Sequence, residues 1–541
     1  MEHLLFDLKK YLADACELAG HSRSWNQIRV MSTRMKFRYL WLAPVMSLFL
    51  ANTHVHADEG LGTFSHIAEP APPTRADQWG PVPTYLFSVV NVAPGLLPFF
   101  NNAPVFGVSG TVVGNFWQNT QLTGDWGGAR TELARRGFFF DAYATSAYQN
   151  VTAGGLKTGG SFVQNNQISL NIDTGRAGWW AGGLIHFTAQ SRSGDAPENT
   201  FTVGSYVPQY TALVLPDPMA AHNIYPSEYF LVQVLSKQFS IVLGKISDVF
   251  IPDQTLFGDS YKYYFANFNL NKNPMTTNFY HPTAWAALGA WAPTNWLVVV
   301  GGVLDPNSKA DNFAVDAYDR VNLYLQAIIS YKLGGLPGQI SPAYNWSNQP
   351  QIDRGLPFGA LSPTQIPQAV GVLLGSPLTA GLPINYRHDS WFAIVNISQY
   401  LFVTDDPVTI ARKLKSGDVI NGIGIFGRLG YAPGDTNTVQ RDASVALVAH
   451  GILSGRKYDS FGVGFFYNEI SGDLKNDITF LTAGTSTAKD EKGVEVFYDF
   501  AVTPAVRLIP SYQHLWSPLT AQVSLNQSRA DVFLARLNVA F

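Results

Sequence analysis

Residues 247–282 carry a mixture of side chains suited to polyhydroxylated solutes: Asp253, Asp259, Tyr261, Lys262, Tyr263, Tyr264 and Phe265. Aromatic faces fit the C–H side of a pyranose ring, while carboxylates, an ammonium and phenols hydrogen-bond to its hydroxyls. The same aromatics could instead pack the loop against a wall. Further polar candidates are His186, Gln190, Gln326, Arg428, Glu495, Asp499 and Arg536. Each falls on the face opposite the apolar residues of an alternating segment.

Covalent chemistry finds little support. Gly422-Ile423-Gly424-Ile425-Phe426-Gly427 matches the dinucleotide pattern, but that pattern needs a following helix to hold a pyrophosphate. Here Arg428-Leu429-Gly430-Tyr431-Ala432-Pro433 follows, still alternating and then turning. Gly451-Ile452-Leu453-Ser454-Gly455 has the wrong spacing for a nucleophile elbow, and the 11 histidines are scattered without H-E-x-x-H. Carboxylate pairs for glycoside hydrolysis are defined by separation in space, so sequence neither supports nor excludes them. The single cysteine, Cys16, lies ahead of the cleavage site expected at Val55-His56-Ala57, leaving no thiol for catalysis, disulfides or zinc. No cofactor or metal is expected.

The composition narrows the elements that position these groups. Charged residues are 14% of 541, against roughly 25% in soluble domains. Yet no apolar run approaches the roughly 20 residues of a membrane helix, and mean hydropathy is close to zero. Aromatics reach 13% and glycines number 48. Together these features point to a transmembrane barrel, whose strands average out in hydropathy. A net charge of −3 gives no reason to expect nucleic acid.

Residues 35–57 read as a signal peptide: Lys36 and Arg38, an apolar stretch from Tyr39 to Ala51, and the small-residue site Val55-His56-Ala57. Residues 1–34 look like a short helix of doubtful status ahead of it. Residues 58–118 form a Pro/Gly-rich extension. Residues 119–137 hold Gly124-Asp125-Trp126-Gly127-Gly128-Ala129-Arg130 and predict a short helix with Asp125 as N-cap, Arg135 and Arg136 at its last turn, and Gly137 beyond.

Residues 138–541 alternate with period two, as in Val494, Val496, Tyr498, Phe500 and Val502 against Glu495, Phe497, Asp499 and Ala501. Trp179, Trp180, Trp291, Trp296, Tyr498 and Trp516 sit near strand ends, as an interfacial girdle would. Connections come in two sizes, tight (292–295, 503–504) and long (247–282, 333–390), the pattern of an outer-membrane barrel. Trp285–Leu304 is free of charge, but Pro293 splits it into two strands. The chain closes on an alternating run, Phe533, Ala535, Leu537, Val539 and Phe541, the last of which suits a barrel-assembly signal.

The run from Leu122 to Arg130, with Leu133 and Gly137, resembles the N-terminal signature of the carbohydrate-selective porin family, OprB. Val242-Leu243-Gly244-Lys245, Thr294-Asn295-Trp296 and Val502-Thr503-Pro504 add weaker likeness, so the resemblance spans about residues 119–541. It implies an all-β, antiparallel, up-and-down barrel of 16 strands with an inward-folding loop. It also implies a passive channel for mono- and oligosaccharides such as glucose in the outer membrane of a Gram-negative bacterium. Membrane lipid, lipopolysaccharide and the barrel-assembly machinery are the other expected partners. A general or anion porin is the alternative, followed by an outer-membrane enzyme.

Overall fold

A computed structural model describes residues 112, 115–117 and 119–541, apart from 195–201, 208–223, 237, 247–256, 258–261, 280–282, 295, 309–319, 377 and 417–418. The expectations for 1–34, for the signal peptide and for most of 58–118 lie outside the described residues. So do Asp253, Asp259 and Tyr261.

From Phe138 the alternation becomes a closed antiparallel barrel of 16 strands. They are β1 (Phe138–Gly154), β2 (Gly159–Asp173), β3 (Gly183–Gly194), β4 (Tyr225–Val234), β5 (Phe239–Ile246), β6 (Ala284–Trp291), β7 (Leu297–Leu304), β8 (Asn322–Leu333) and β9 (Leu336–Ser347). After a small hairpin of β10 (Gln351–Ile352) and β11 (Tyr386–Arg387) come β12 (Ser390–Val403), β13 (Gly422–Tyr431), β14 (Val439–His450), β15 (Ser460–Ile470), β16 (Glu491–Thr503), β17 (Val506–Trp516) and β18 (Arg529–Ala540). Barrel neighbours follow chain order throughout, with β9 paired to β12 across the hairpin. The seam closes where β1 pairs with β18, from Tyr143↔Ala540 to Gly154↔Ala530. Closure gives every barrel strand two partners and leaves the barrel no edge, the condition for strands to cross a bilayer.

The period-two pattern decides which way each side chain points. On β15, Phe461, Val463, Phe465 and Tyr467 face out, while Ser460, Gly462, Gly464 and Phe466 are buried inside. On β18, Phe533 and Leu537 are exposed, whereas Leu534, Arg536 and Asn538 are buried. The outer wall is therefore apolar and the inner wall largely polar. Trp179, Trp180, Trp291 and Trp296 are exposed at the end of the barrel that carries the N-terminal helix, and Trp516 at the other.

Connections at the helix-bearing end are mostly short. The two-residue turn between β8 and β9 is Gly334-Gly335, with φ of 60° and 82°, a backbone that favours glycine. This turn corrects one expectation: 333–390 is not one long loop, because β9 lies within it and the loop proper runs over 348–389. Residues 404–421 are the long exception at this end, carrying a helix at Pro407–Ser416. Trp285–Leu304 divides into β6 and β7, as Pro293 requires.

The signature folds differently in detail from a simple capped helix. A 3-10 turn at Trp126–Gly128 precedes the helix Ala129–Arg135 (α1), whose N-cap is Gly128. Asp125 does not cap in the expected way, because glycines at φ 69° and 96° kink the chain after it. Its Oδ1 instead accepts from Thr131, both from the backbone N (2.8 Å) and from Oγ1 (2.7 Å). Gly137 has φ 87°, as a residue ending a helix should.

Candidate functional site: a loop pinned inside the barrel

The long connection between β5 and β6 turns into the lumen. Its described part, 262–279, is buried almost throughout, with Phe265, Phe268 and Leu270 wholly enclosed. It holds two short turns, Phe268–Asn271 and Pro274–Asn278, each opened by an asparagine whose side chain accepts a backbone N–H: Asn267 from Asn269 and Asn273 from Met275. Asparagine is favoured at such starts because its amide oxygen replaces a missing helix partner.

The inner wall grips this loop mainly by its backbone. Glu495 on β16 accepts from Ala266 N and Asn267 N, both at 2.8 Å. Arg428 on β13 donates to Leu270 O (2.8 Å) and Asn271 O (3.0 Å). Arg536 on β18 donates to Tyr264 O, and Asn538 to Lys262 O at 3.1 Å. Side chains add Asn267 to Gln513 (3.0 Å), Asn273 to Asp442 (2.8 Å) and Asn468 to Asn269 (2.9 Å). Lys262 reaches Gln167 on β2 at 2.9 Å and lies over the Tyr143 ring at 4.0 Å. Charged groups bonded to backbone are among the stronger hydrogen bonds, more so away from water.

Apolar packing completes the seat. Phe265 meets Phe497 edge-on at 4.7 Å and Phe426 at 6.1 Å. The room comes from glycines on the inner face of β15. A Cβ on Gly464 would fall 2.8 Å from Leu270, and one on Gly462 2.8 Å from Phe497. The alternation of aromatics with Gly462 and Gly464 thus has two causes, lipid outside and a loop inside.

The sequence candidates separate accordingly. Arg428, Glu495 and Arg536 hold the loop. Asp499 pairs with Arg507 at 2.7 Å, both buried. His186 and Gln326 bond along the wall: His186 to Asn171 (2.6 Å) and Thr188 (2.7 Å), and Gln326 to Ser341 at 2.5 Å. Gln190 is buried on the same inner face of β3 as His186. Tyr263 and Tyr264 are buried, Tyr264 edge-on to Phe497 at 5.9 Å and Tyr263 beneath the Arg507 guanidinium at 5.4 Å. Of the two roles open to these rings, packing against the wall is the one this arrangement displays. Phe265 shares it.

Sequence reasoning missed the asparagines 267, 269 and 273, and it missed Glu491. The Glu491 carboxylate accepts from Ser205 Oγ (2.5 Å), Tyr206 N (3.1 Å) and Leu519 N (2.9 Å), tying the β3–β4 connection to the helix Leu519–Leu525. Its inward parity on β16 was the available signal. The signature arginine is also buried. Arg130 donates to Phe140 O (2.6 Å) and Phe541 O (3.0 Å), with Asp141 at 3.8 Å. The motif thus fastens the start of β1 to the end of the chain, at the barrel seam.

At the opposite end, the helix Gly472–Leu481 between β15 and β16 holds Asp477. Burial pushes its carboxyl up to about 7, helped by Asp473 and Asp353 and opposed by Arg354. A carboxyl raised in the folded state stabilises it only while protonated. That contribution is complete below about 3.8 and is lost as pH rises through about 7. Protection of amides in Gly472–Leu481, taken relative to the unfolded-chain exchange rate at each pH, should therefore fall as pH rises from about 4 to about 7, and Asp477→Asn should flatten that dependence. An equal pH response in the variant would assign the effect to another group.

Among the described residues no group of His, Cys, Asp and Glu is arranged to hold a metal ion. The profile of the carbohydrate-selective porin family, OprB, matches residues 157–541. The fold is similar to the high-pH structure of Pseudomonas putida OprB, with 17% identity, a TM-score of 0.63, and coverage of 78% of this chain and 98% of that one. The low-pH structure of the same protein gives 15% identity and a TM-score of 0.46, covering 78% and 99%. No curated protein matches the chain. A closed barrel of 16 antiparallel strands, apolar outside and polar within, together with a family match over most of its length, places this chain in the carbohydrate-selective porin family, as an outer-membrane channel.

Proposed function

We propose that neutral mono- and oligosaccharides such as glucose diffuse passively through this barrel past the inward loop, held on the way by weak saturable sites. The observation that carries this reading is a lumen narrowed by a loop that the wall fixes in place, inside a barrel whose inner wall is largely polar. Such a site selects by size and hydrogen bonding and needs no catalytic group. A conducting pore must also release its solute, so affinities should be millimolar, near −4 kcal/mol.

Two of the inward arginines, Arg428 and Arg536, are spent on loop carbonyls and a third, Arg507, is paired with Asp499, which argues against a strongly anion-selective lumen. Proteoliposomes carrying the protein should swell in isosmotic glucose faster than in a charged solute of similar size. Faster swelling with a small anion would favour the anion-porin reading.

Assembly in the outer membrane, with contact to lipopolysaccharide and the barrel-assembly machinery, belongs to the same reading. Its support is Phe541, whose backbone N donates to Ala142 O at 2.8 Å beside the seam. Deleting Phe541 should lower the yield of the compact, heat-modifiable species in outer-membrane fractions while synthesis is unchanged. Normal yield would remove the assembly role.

A further inference from the structure

The outer wall carries a concave groove of about 620 Å³. It crosses six neighbouring strands, from Ile423 on β13 through Leu447, Phe461, Val496 and Tyr512 to Phe533 on β18. At about 4.8 Å between strands this is a path of roughly 24 Å. The outward side chains that line it are apolar except for the phenols of Tyr498 and Tyr512; the Ser511 side chain is on the inner face of β17. The two phenols are spent on Asp459 (2.6 Å) and Asp531 (2.7 Å). The groove opens onto the hydrocarbon that surrounds the barrel, so an apolar chain is the matter that can fill it.

One end of the groove is polar. It runs down to Ile452 and Leu453, in the turn 451–459 at the helix-bearing, periplasmic end of the barrel. Arg456 N donates to Leu453 O at 3.0 Å, so this arginine stands at the mouth. Its guanidinium lies 4.0 Å over the Phe500 ring and leaves 35% of the side chain exposed while holding Asp459. The next residue, Lys457, is exposed, its ammonium 4.8 Å from the Tyr458 ring. Asp459 is buried and committed to Arg456, Tyr498 and Ala501 N. The rim that meets water is therefore positive, above a tail-shaped apolar cleft.

We propose that this groove is a binding site for an anionic phospholipid of the periplasmic leaflet, with an acyl chain along β13–β18 and the phosphate on Arg456 and Lys457. The apolar lining alone would accept any bilayer lipid. The basic rim is what selects a head group of net negative charge, since a cation near an anionic lipid surface contributes about fivefold in affinity.

The test is native mass spectrometry of the full-length protein in detergent, with added phosphatidylglycerol or phosphatidylcholine. Wild type should retain one phosphatidylglycerol about fivefold better than phosphatidylcholine, and Lys457→Glu should erase that preference. Ile452→Asp with Leu453→Asp should reduce retention of both lipids, because it places charge where the chain would lie. Heat-modifiable mobility reports folding for each variant. Equal retention of the two lipids by wild type, or an unchanged preference in Lys457→Glu, overturns the proposal and leaves ordinary annular lipid.

Discussion

Glu495→Ala should release the inward loop while leaving the barrel standing. The carboxylate accepts two consecutive backbone N–H groups, of Ala266 and Asn267, from a position with no exposure. Arg536 lies within its electrostatic reach and itself holds Tyr264 O. Removing one partner of a buried charged pair typically costs about 3–5 kcal/mol, because the other charge is left uncompensated. Each orphaned N–H adds about 1–3 kcal/mol. The strand ladders of β15, β16 and β17 do not use the Glu495 side chain and should persist. We therefore expect faster amide exchange over 262–279, larger and noisier single-channel current, and unchanged heat-modifiable mobility. Glu495→Gln should fall between, since an amide keeps an acceptor but loses the charge. Unchanged exchange and current in Glu495→Ala would show that Arg428 and the asparagines suffice to hold the loop.

Arg130→Ala should be the most damaging single change in the family signature. Its side chain is buried and bonds to Phe140 O and Phe541 O from one guanidinium nitrogen, with Asp141 beside it. One planar group thus ties α1, the first strand and the chain's last residue. Loss of the arginine removes the donor to both main-chain oxygens and leaves the buried Asp141 without its nearest cation, about 3–5 kcal/mol by the same reasoning. Asp125→Ala should cost less, roughly 0.5–2 kcal/mol, because it removes one acceptor near the surface. A lysine ammonium could serve Phe140 O and Phe541 O but not also Gly124 O, which the second guanidinium nitrogen reaches at 3.5 Å, so Arg130→Lys should restore only part of the loss. The readouts are the unfolding temperature in detergent and the folded yield. Equal stability of Arg130→Ala and wild type would mean that the seam is secured by β1–β18 pairing alone.

Most of the barrel was legible because a strand's inside and outside are fixed by parity. Val494–Val502 and Phe461–Tyr467 alternated, and each side chain lies where its parity put it. Inward placement of His186, Gln326, Arg428, Glu495, Asp499 and Arg536 follows from the same rule. Parity does not say what an inward residue touches. That Arg428 and Glu495 serve a loop more than 150 residues away in sequence depends on the register of strands and on where the loop folds, neither of which is local. Why the inward positions 462 and 464 are glycines is explained only by the seated Phe265 and Leu270. The Asp125 expectation held only in part: left-handed glycines at 127 and 128 make Gly128 the residue that opens the helix, yet the Asp125 carboxylate still accepts the free first-turn N–H of Thr131 from three residues upstream.

The central claim is that this barrel passes sugars through a lumen narrowed by loop 262–279. Its most direct test is single-channel current in planar bilayers, with glucose and a longer oligosaccharide titrated from one side. The account predicts a reversible, saturable fall in current with millimolar half-effect, near −4 kcal/mol, and weaker block when Glu495→Ala has loosened the loop. Tyr261, Tyr263 and Tyr264 replaced together by Ala should leave the pore conducting, and the change in block measures how far these rings touch the solute. A wild-type current that no sugar modulates, in a channel that still conducts and discriminates among small anions, would contradict the sugar assignment.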